Sequence, residues 1–245
     1  MSKETPKFML KYLLFFYVFI LLVIMLSSFS KALISKNEIN QSANDSTSPI
    51  IIIDAGHGGE DGGAIGNNGI YEKDLNLTIS ENLADMLGAA GYDVVMTRTE
   101  DKLLYDKTQD FKGRKKILDL AGRLEIANKY SDAIFISIHM NSFPQEKYSG
   151  LQVYYSKNND NSKIIAEIIQ SSVKAHLQPN NNRACKEASS NIFLLDRAQS
   201  AAVLIECGFL SNNEECALLS TEEYQRKLSL SIFNGICEYI IGIST

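Results

Sequence analysis

The strongest constraint on the fold of this chain is a series of short apolar runs, each bounded by turn residues. Runs of this length and composition predict strands that are buried on both faces, as in a sheet covered by helices on each side. Such strands are predicted at Ile50 to Ile53, Tyr92 to Met96, Ala133 to Ile138, Leu151 to Tyr155, Asn191 to Leu195 and Ala201 to Ile205. The chain is therefore expected to fold around one buried sheet.

Helical patterns lie between the predicted strands. Leu75, Ile79, Leu83 and Leu87 recur at four-residue spacing, which places them on one face of a helix. Further helices are predicted at residues 114–129, 162–177 and 221–241. This alternation predicts an α/β fold with a twisted, mostly parallel, six-stranded sheet and helices on both of its faces.

The first 30 residues have the pattern of a signal or signal-anchor segment. Three lysines, Lys3, Lys7 and Lys11, precede an uninterrupted apolar stretch from Tyr12 to Leu26. This length fits both a cleaved secretory signal and an uncleaved membrane anchor, and the weak cleavage site favours the anchor. In either case the lysines keep the N-terminus in the cytoplasm, and the rest of the chain is expected to be exported.

A linker and one globular domain are predicted after this segment. Residues 31–49 are mostly polar and rich in Asn and Ser, a composition that cannot bury enough apolar surface to order itself. The 245-residue chain is 45% hydrophobic, which is enough apolar material for one core of ordinary size. The sequence therefore predicts a single catalytic domain at residues 50–243.

Charge, cysteine usage and loop composition argue against several classes of function. The formal net charge of -5 disfavours nucleic acid as a partner. The four cysteines form no Cys-x-x-Cys pair, so neither a zinc knuckle nor a redox motif is predicted and the thiols are expected to be free. The loop from Gly56 to Gly63 has Asp61 in place of the third glycine of a dinucleotide-binding fingerprint, and it lacks the Gly-Lys-Ser/Thr end of a P-loop. A nucleotide or phosphate binder is therefore disfavoured.

Two of the three histidines occupy similar places in the predicted architecture. His57 follows the first predicted strand, and His139 ends the third. Because ligand sites of open α/β sheets form outside the carboxyl ends of the strands, both side chains are expected at the same edge. His176 instead lies at the end of a predicted helix, where an imidazole interacts favourably with the helix dipole, and it is assigned a structural role.

A catalytic zinc site commonly has three protein ligands and an open position for water, so a third ligand is needed. Glu72, just before the first predicted helix, is the candidate. From spacing alone, however, the preferred interpretation of Glu72 is an acid in the first turn of a helix, where the macrodipole favours it. Glu60, Asp61 and Asp74 are rival ligands in the same loop.

Glu206 ends the last predicted strand, which is otherwise apolar. A carboxylate at such a position is costly unless it is paired, neutral or close to a metal ion. Because Glu206 lies at the end of a strand, it is again expected at the edge of the sheet where ligand sites form. A perturbed carboxylate beside a metal site is suited to act as a general base.

Four motifs together resemble the zinc-dependent N-acetylmuramoyl-L-alanine amidases of the type-3 (Amidase_3) family, from about Ile50 to the C-terminus. The motifs are Ile-Asp-Ala-Gly-His-Gly-Gly at 53–59, Glu-Lys-Asp-Leu-Asn-Leu at 72–77, Ser-Ile-His-Met-Asn-Ser at 137–142 and Glu-Cys-Gly-Phe-Leu-Ser-Asn at 206–212. The resemblance implies that His57, Glu72 and His139 bind one Zn²⁺ per chain and that Glu206 is the catalytic carboxylate. It also implies that Asn141 lies beside the site.

Three further residues fit the pattern of the family without an assigned chemical role. They are Arg98, within Thr-Arg-Thr at 97–99, and Arg123 and Asn128 in the second predicted helix.

The resemblance implies hydrolysis of the bond between the lactyl group of muramic acid and L-alanine in peptidoglycan. An N-terminal hydrophobic segment followed by a bare catalytic domain is similar to the layout of germination-specific amidases of spore formers. This layout implies a role in spore cortex maturation that leads to muramic-δ-lactam, at the forespore membrane. It also implies membrane attachment through the N-terminal segment, or secretion, and a lipoprotein or other protein activator. A vegetative cell-wall amidase and a non-catalytic peptidoglycan-binding scaffold remain the alternatives.

Overall fold

The computed structural model describes Tyr17 and residues 48–105, 108, 113–130 and 132–243. Apart from Tyr17, the predicted signal or anchor segment at 1–30 lies outside these residues, as does nearly all of the predicted linker at 31–49, so both stay predictions. Within the described part, no helix is both long enough and apolar enough to cross a membrane.

Six strands form one sheet, in the spatial order β2-β1-β3-β6-β4-β5. Neighbouring strands are parallel except for β4 and β6, which are antiparallel. The strands are β1 (Ile51–Ala55), β2 (Val94–Met96), β3 (Ile134–Asn141), β4 (Gln152–Tyr155), β5 (Lys186–Glu187) and β6 (Ala201–Phe209). The predicted mostly parallel, six-stranded sheet is thus confirmed.

Helices cover both faces of this sheet, as predicted. The six helices of the described residues are α1 (Glu72–Ala89), α2 (Lys115–Ala127), α3 (Asn161–His176), α4 (Phe193–Arg197), α5 (Asn213–Leu219) and α6 (Glu222–Ile243). The larger apolar core joins one face of the sheet to α1, α3, α5 and α6, and the smaller core joins the other face to α2 and α4. Helices α1, α2, α3 and α6 agree with the predicted patterns to within a few residues.

The central strands are buried because both of their faces carry apolar side chains. In β3, Ile134, Ile136 and Ile138 face the larger core, whereas Phe135 faces the smaller one. Alternate residues of a strand point to opposite faces, so this near-continuous apolar run fills both cores at once. The sheet therefore lies between two layers of helices.

The predicted strand at Asn191 to Leu195 is wrong. Residues 193–197 form the short helix α4, whose Leu194 and Leu195 are buried in the smaller core. Two buried neighbours in one helical turn give the same short apolar run as a strand, so periodicity cannot separate the two. The sixth strand is instead β5, a two-residue exposed edge strand of Lys186 and Glu187. The four cysteines lie among the described residues and are free, as predicted.

Candidate metal centre

The two predicted histidines meet at the carboxyl edge of the sheet. His57 follows β1 and His139 lies near the end of β3, and these strands are parallel neighbours. The backbone N–H of Gly56 donates to the carbonyl of Ile138 at 3.1 Å, which extends the pairing to the histidine loop. The ring centroids of His57 and His139 are 5.0 Å apart in an edge-to-face arrangement.

Glu72, the first residue of α1, reaches both rings. Its Oε1 lies 2.9 Å from His139 Nδ1 and 3.2 Å from His57 Nε2. The carboxylate is only 4% exposed and is fixed by two backbone donors, the N–H of Met140 to Oε1 at 3.0 Å and the N–H of Ala64 to Oε2 at 2.8 Å. Of the rival acids, Glu60 and Asp74 are exposed, and Asp61 lies behind His57 with its Oδ2 at 2.9 Å from Nδ1.

The cluster of His57, Glu72 and His139 fits a zinc ion. One donor atom from each side chain lies within 4.8 Å of the other two. A tetrahedral zinc site with bonds of about 2.0–2.1 Å has ligand atoms roughly 3.3 Å apart, close to the two measured separations. Two imidazole nitrogens and one carboxylate oxygen also form a donor set typical of catalytic zinc. Among the described residues, this is the one group with such geometry.

The cluster is strongly coupled electrostatically. Burial lowers the pKa of His57, but the carboxylates of Glu72 and Asp61 outweigh it, so the pKa lies above its usual value. Burial raises the pKa of Glu72, but the two imidazoles outweigh it and hold that pKa well below its usual value. Asp61 stands where a carboxylate commonly orients a metal-binding imidazole through its other nitrogen.

The turn that carries His57 depends on glycine at two positions. A Cβ at Gly56 would lie 2.3 Å from the His139 ring, and a Cβ at Gly63 would lie 2.5 Å from Glu72 Oε2. Gly63 also has a φ of 67°, and His57 itself has a φ of 60°, which is uncommon for a residue with a side chain. The glycines therefore allow the three side chains to approach one another.

Two buried arginines hold this turn from below. Arg98 donates to the carbonyls of Ala55 at 2.8 Å and Gly56 at 3.0 Å. Arg123 donates to the carbonyls of Ala55 at 2.7 Å and His57 at 2.6 Å. The two guanidinium groups thus bind three successive carbonyls of the strained turn. The family pattern included these arginines but did not suggest this contact.

Buried carboxylates neutralise Arg123. Its Nη1 lies 2.6 Å from Asp54 Oδ1, and its Nε lies 2.8 Å from Asp119 Oδ2. Burial raises the pKa of Asp54, but the charge of Arg123 and a hydrogen bond from Ser137 outweigh it, so that pKa lies below its usual value. Asp54 therefore stays ionised although its side chain is fully buried.

Glu206 lies beside the cluster on the next strand. It is the register partner of His139 in the parallel pair of β3 and β6, so the two side chains point to the same face of the sheet. Its Oε2 is buried and has no hydrogen-bond partner among the described residues. Burial raises the pKa of Glu206 to about 7. A carboxyl group with this pKa can accept and return a proton near neutral pH.

The remaining predicted residues have simpler surroundings. Asn141 ends β3 two residues after His139. His176 ends α3, and its Nδ1 lies 2.8 Å from the carbonyl of Ser172 in the same helix. It is not part of the cluster of His57, Glu72 and His139. A recess of about 200 Å³, lined mainly by apolar groups of α2 and α4, opens onto His57 and His139.

Comparison with known proteins agrees with this fold. Residues 51–238 match the family model Amidase_3, described as N-acetylmuramoyl-L-alanine amidase. The germination-specific N-acetylmuramoyl-L-alanine amidase of Bacillus subtilis is 38% identical over 207 residues, which cover 81% of this chain and 86% of that protein.

Two solved structures are similar over most of this chain. The CwlD amidase from Clostridioides difficile, in complex with the GerS lipoprotein, has a TM-score of 0.75 and 39% identity, and the match covers 79% of this chain and 99% of that one. The amidase AmiC2 of Nostoc punctiforme has a TM-score of 0.68 and 30% identity, with 80% and 99% covered. This chain therefore belongs to the Amidase_3 family of N-acetylmuramoyl-L-alanine amidases, hydrolases that act on peptidoglycan.

Proposed function

We propose that the chain is a zinc-dependent amidase in which His57, Glu72 and His139 hold one zinc ion and Glu206 is the general base. The observation that carries this proposal is the convergence of two imidazoles and one carboxylate next to a buried, unpartnered carboxyl oxygen. The bond that it cleaves is the amide between the lactyl group of muramic acid and L-alanine.

The side chains divide the chemistry between them. A bound zinc ion would polarise the amide carbonyl and lower the pKa of a water molecule. Glu206 accepts the proton of the attacking water on Oε2 and then returns it to the nitrogen of the departing alanine. Asp61 orients His57, and the backbone N–H groups of Met140 and Ala64 keep the Glu72 carboxylate in place.

We further propose that the substrate is the peptidoglycan of the spore cortex. Two observations support this step: the relative in Bacillus subtilis is named germination-specific, and the match extends over most of both chains. Removal of the stem peptide would prepare muramic acid for conversion to its δ-lactam by a second enzyme. The vegetative cell wall is the alternative substrate.

Partner and location belong to the same proposal. The similar amidase from Clostridioides difficile was solved with a lipoprotein, which supports a lipoprotein partner for this chain. Attachment to the outer side of the membrane through residues 1–30 would bring the enzyme and a lipid-anchored partner to one surface.

The test is the mass of the products that the purified full chain releases from two substrates, cortex and vegetative peptidoglycan. The proposal predicts intact stem peptides with a free alanine amino group, released faster from the cortex. Products cut within the stem peptide or within the glycan would refute the amidase assignment. Equal or faster release from the vegetative wall would refute the cortex assignment only.

A further inference from the structure

A wide polar groove lies next to the loop that precedes β4. Its volume is about 630 Å³, and residues from the loop before β4, the loop after α3 and helix α5 line it. About half of its lining surface is polar. The lining includes the amide side chains of Gln178, Asn181 and Asn212 and the charged residues Lys147, Arg183, Glu214 and Glu215. These amide groups form hydrogen bonds within the protein, such as Asn181 Nδ2 to the carbonyl of Leu151 at 2.8 Å and Asn212 Nδ2 to the carbonyl of Glu146 at 2.7 Å. They therefore fix the shape of the groove.

Arg183 lies in this groove and is fixed by contacts on several sides. Its Nη2 donates to Gln152 Oε1 at 2.7 Å, and its guanidinium lies over the ring of Phe209 at 4.7 Å from the centroid. Its backbone N–H donates to the side chain of Asn181 at 3.0 Å. Gln152 is 2% exposed, and its own Nε2 donates to the carbonyl of Ala184 at 2.7 Å. The position of the guanidinium is therefore built into the fold.

Among the described residues, the charge of Arg183 favours the ionised forms of two nearby carboxylates, Glu215 in the same groove and Glu206. No carboxylate there forms an ion pair with it, and its buried Nε has no hydrogen-bond partner. Arg123, by contrast, is paired with two carboxylates. Arg183 thus has no directly bound counter-ion within the described part of the chain. A carboxylate could take that position through the Nη groups, since Nε is buried.

Arg183 is also close to the reacting centre. Gln152, which accepts its hydrogen bond, is the register partner of Glu206 in the antiparallel pair of β4 and β6. One side chain thus separates the guanidinium from the proposed general base. A substrate peptide that extends from Glu206 toward β4 would therefore meet Arg183.

We propose that Arg183 binds a carboxylate of the stem peptide and so determines which stem peptides the enzyme prefers. This inference rests on the proposed amidase function. In peptidoglycan the residue after L-alanine is a glutamate linked through its side chain, which leaves its α-carboxylate either free or amidated. A guanidinium binds a carboxylate through two parallel hydrogen bonds and forms no such pair with an amide. Arg183 is therefore a specificity residue for the free acid.

The experiment compares two soluble muramoyl peptides that differ only in this group, one with a free α-carboxylate and one with the amide. The purified full chain is expected to favour the free acid in kcat/KM by about tenfold to hundredfold, the size expected of a charged hydrogen bond. In Arg183→Gln this ratio falls toward one, chiefly through a higher KM for the free acid. Arg183→Lys keeps part of the preference because it keeps the charge.

Two controls accompany this comparison of substrates, a second variant and the zinc content. Lys186→Gln removes a neighbouring exposed charge outside the groove and should leave the ratio unchanged. Zinc content is measured for every variant, so that a folding defect is recognised. The proposal is overturned if the wild type shows no preference, if Arg183→Gln keeps it, or if both substrates lose activity in parallel. Cleavage of neither substrate by the zinc-loaded wild type would instead contradict the amidase function, and this inference with it.

Discussion

At the scale of single residues, each member of the site is held by contacts of its own. Glu72 is fixed by backbone N–H groups, His57 by its strained turn and Asp61, and Glu206 by its register with His139. Loss of a ligand and loss of the base are therefore expected to have different effects on zinc and on turnover.

Replacement of Glu206 by Gln should remove the base and leave the metal in place. Amide hydrolysis is expected to fall by about a hundredfold to ten-thousandfold, the usual contribution of a general base, while the zinc content stays that of the wild type. Elemental analysis and product mass spectrometry measure the two quantities. Glu187→Gln, which neutralises an exposed acid of β5, is the control. Hydrolysis at the wild-type rate by Glu206→Gln would remove Glu206 from the mechanism.

Replacement of His57 by Ala should lose the metal itself, because only two of the three protein ligands remain. The matched control is His176→Ala, which removes a histidine at the end of α3 and should leave zinc binding unchanged. Competition with a chromophoric chelator gives both affinities. Equal zinc affinity of the two variants would show that His57 is not a ligand.

Sequence alone placed some of these residues better than others. His57, His139 and Glu206 were predictable because strand ends of a parallel sheet meet at one edge, and the structure brings them there. Glu72 was not separable from Glu60, Asp61 and Asp74 by spacing, because the fold of the loop decides which acid turns inward. The resemblance to the family singled it out.

At the scale of elements, the loop between β1 and α1 carries His57, one of the proposed metal ligands, and depends on Arg123. Arg123→Met would leave Asp54 and Asp119 as buried charges without their partner. The free energy of unfolding in urea is expected to fall by about 3–5 kcal/mol, and zinc affinity should fall with it. Arg226→Met, at an exposed position of α6, should change neither. A loss below 1 kcal/mol would contradict this role of Arg123.

Alanine variants of Gly63 and Gly69 distinguish the effect of backbone strain from the effect of a contact with Glu72. Gly63 and Gly69 both have positive φ, but a Cβ at Gly63 would meet Glu72 Oε2, whereas a Cβ at Gly69 would meet nothing within 4 Å. Both alanine variants should lose about 1–3 kcal/mol of stability through strain. Only Gly63→Ala should also weaken zinc binding in a competition titration. Equal zinc affinities would show that the Glu72 carboxylate does not need this close approach.

The elements that the sequence did not predict share a physical cause. Helix α4 has two adjacent buried leucines and no full period, and β5 has two exposed charged residues. Neither carries a periodic apolar signal, because α4 is shorter than two turns and β5 lies at the edge of the sheet. The central strands and the long helices, in contrast, carry continuous apolar runs or apolar residues at helical spacing, and these patterns are visible in the sequence.

At the scale of the whole molecule, the strand order explains why the site forms where it does. The strands β1, β3 and β6 are adjacent in the middle of the sheet, so the residues at their carboxyl ends meet. An apolar recess lies on the α2 and α4 side of this point, and the wide polar groove lies on the β4 side.

Zinc titration of the purified full chain, combined with the mass of the peptides released from peptidoglycan, tests whether the chain is a zinc-dependent amidase. We expect one zinc ion per chain and release of intact stem peptides that begin with alanine. This release should stop when a chelator removes the metal and return on addition of one equivalent of zinc. Undiminished release of the same peptides by the metal-free chain would contradict the proposed role of zinc in this cleavage.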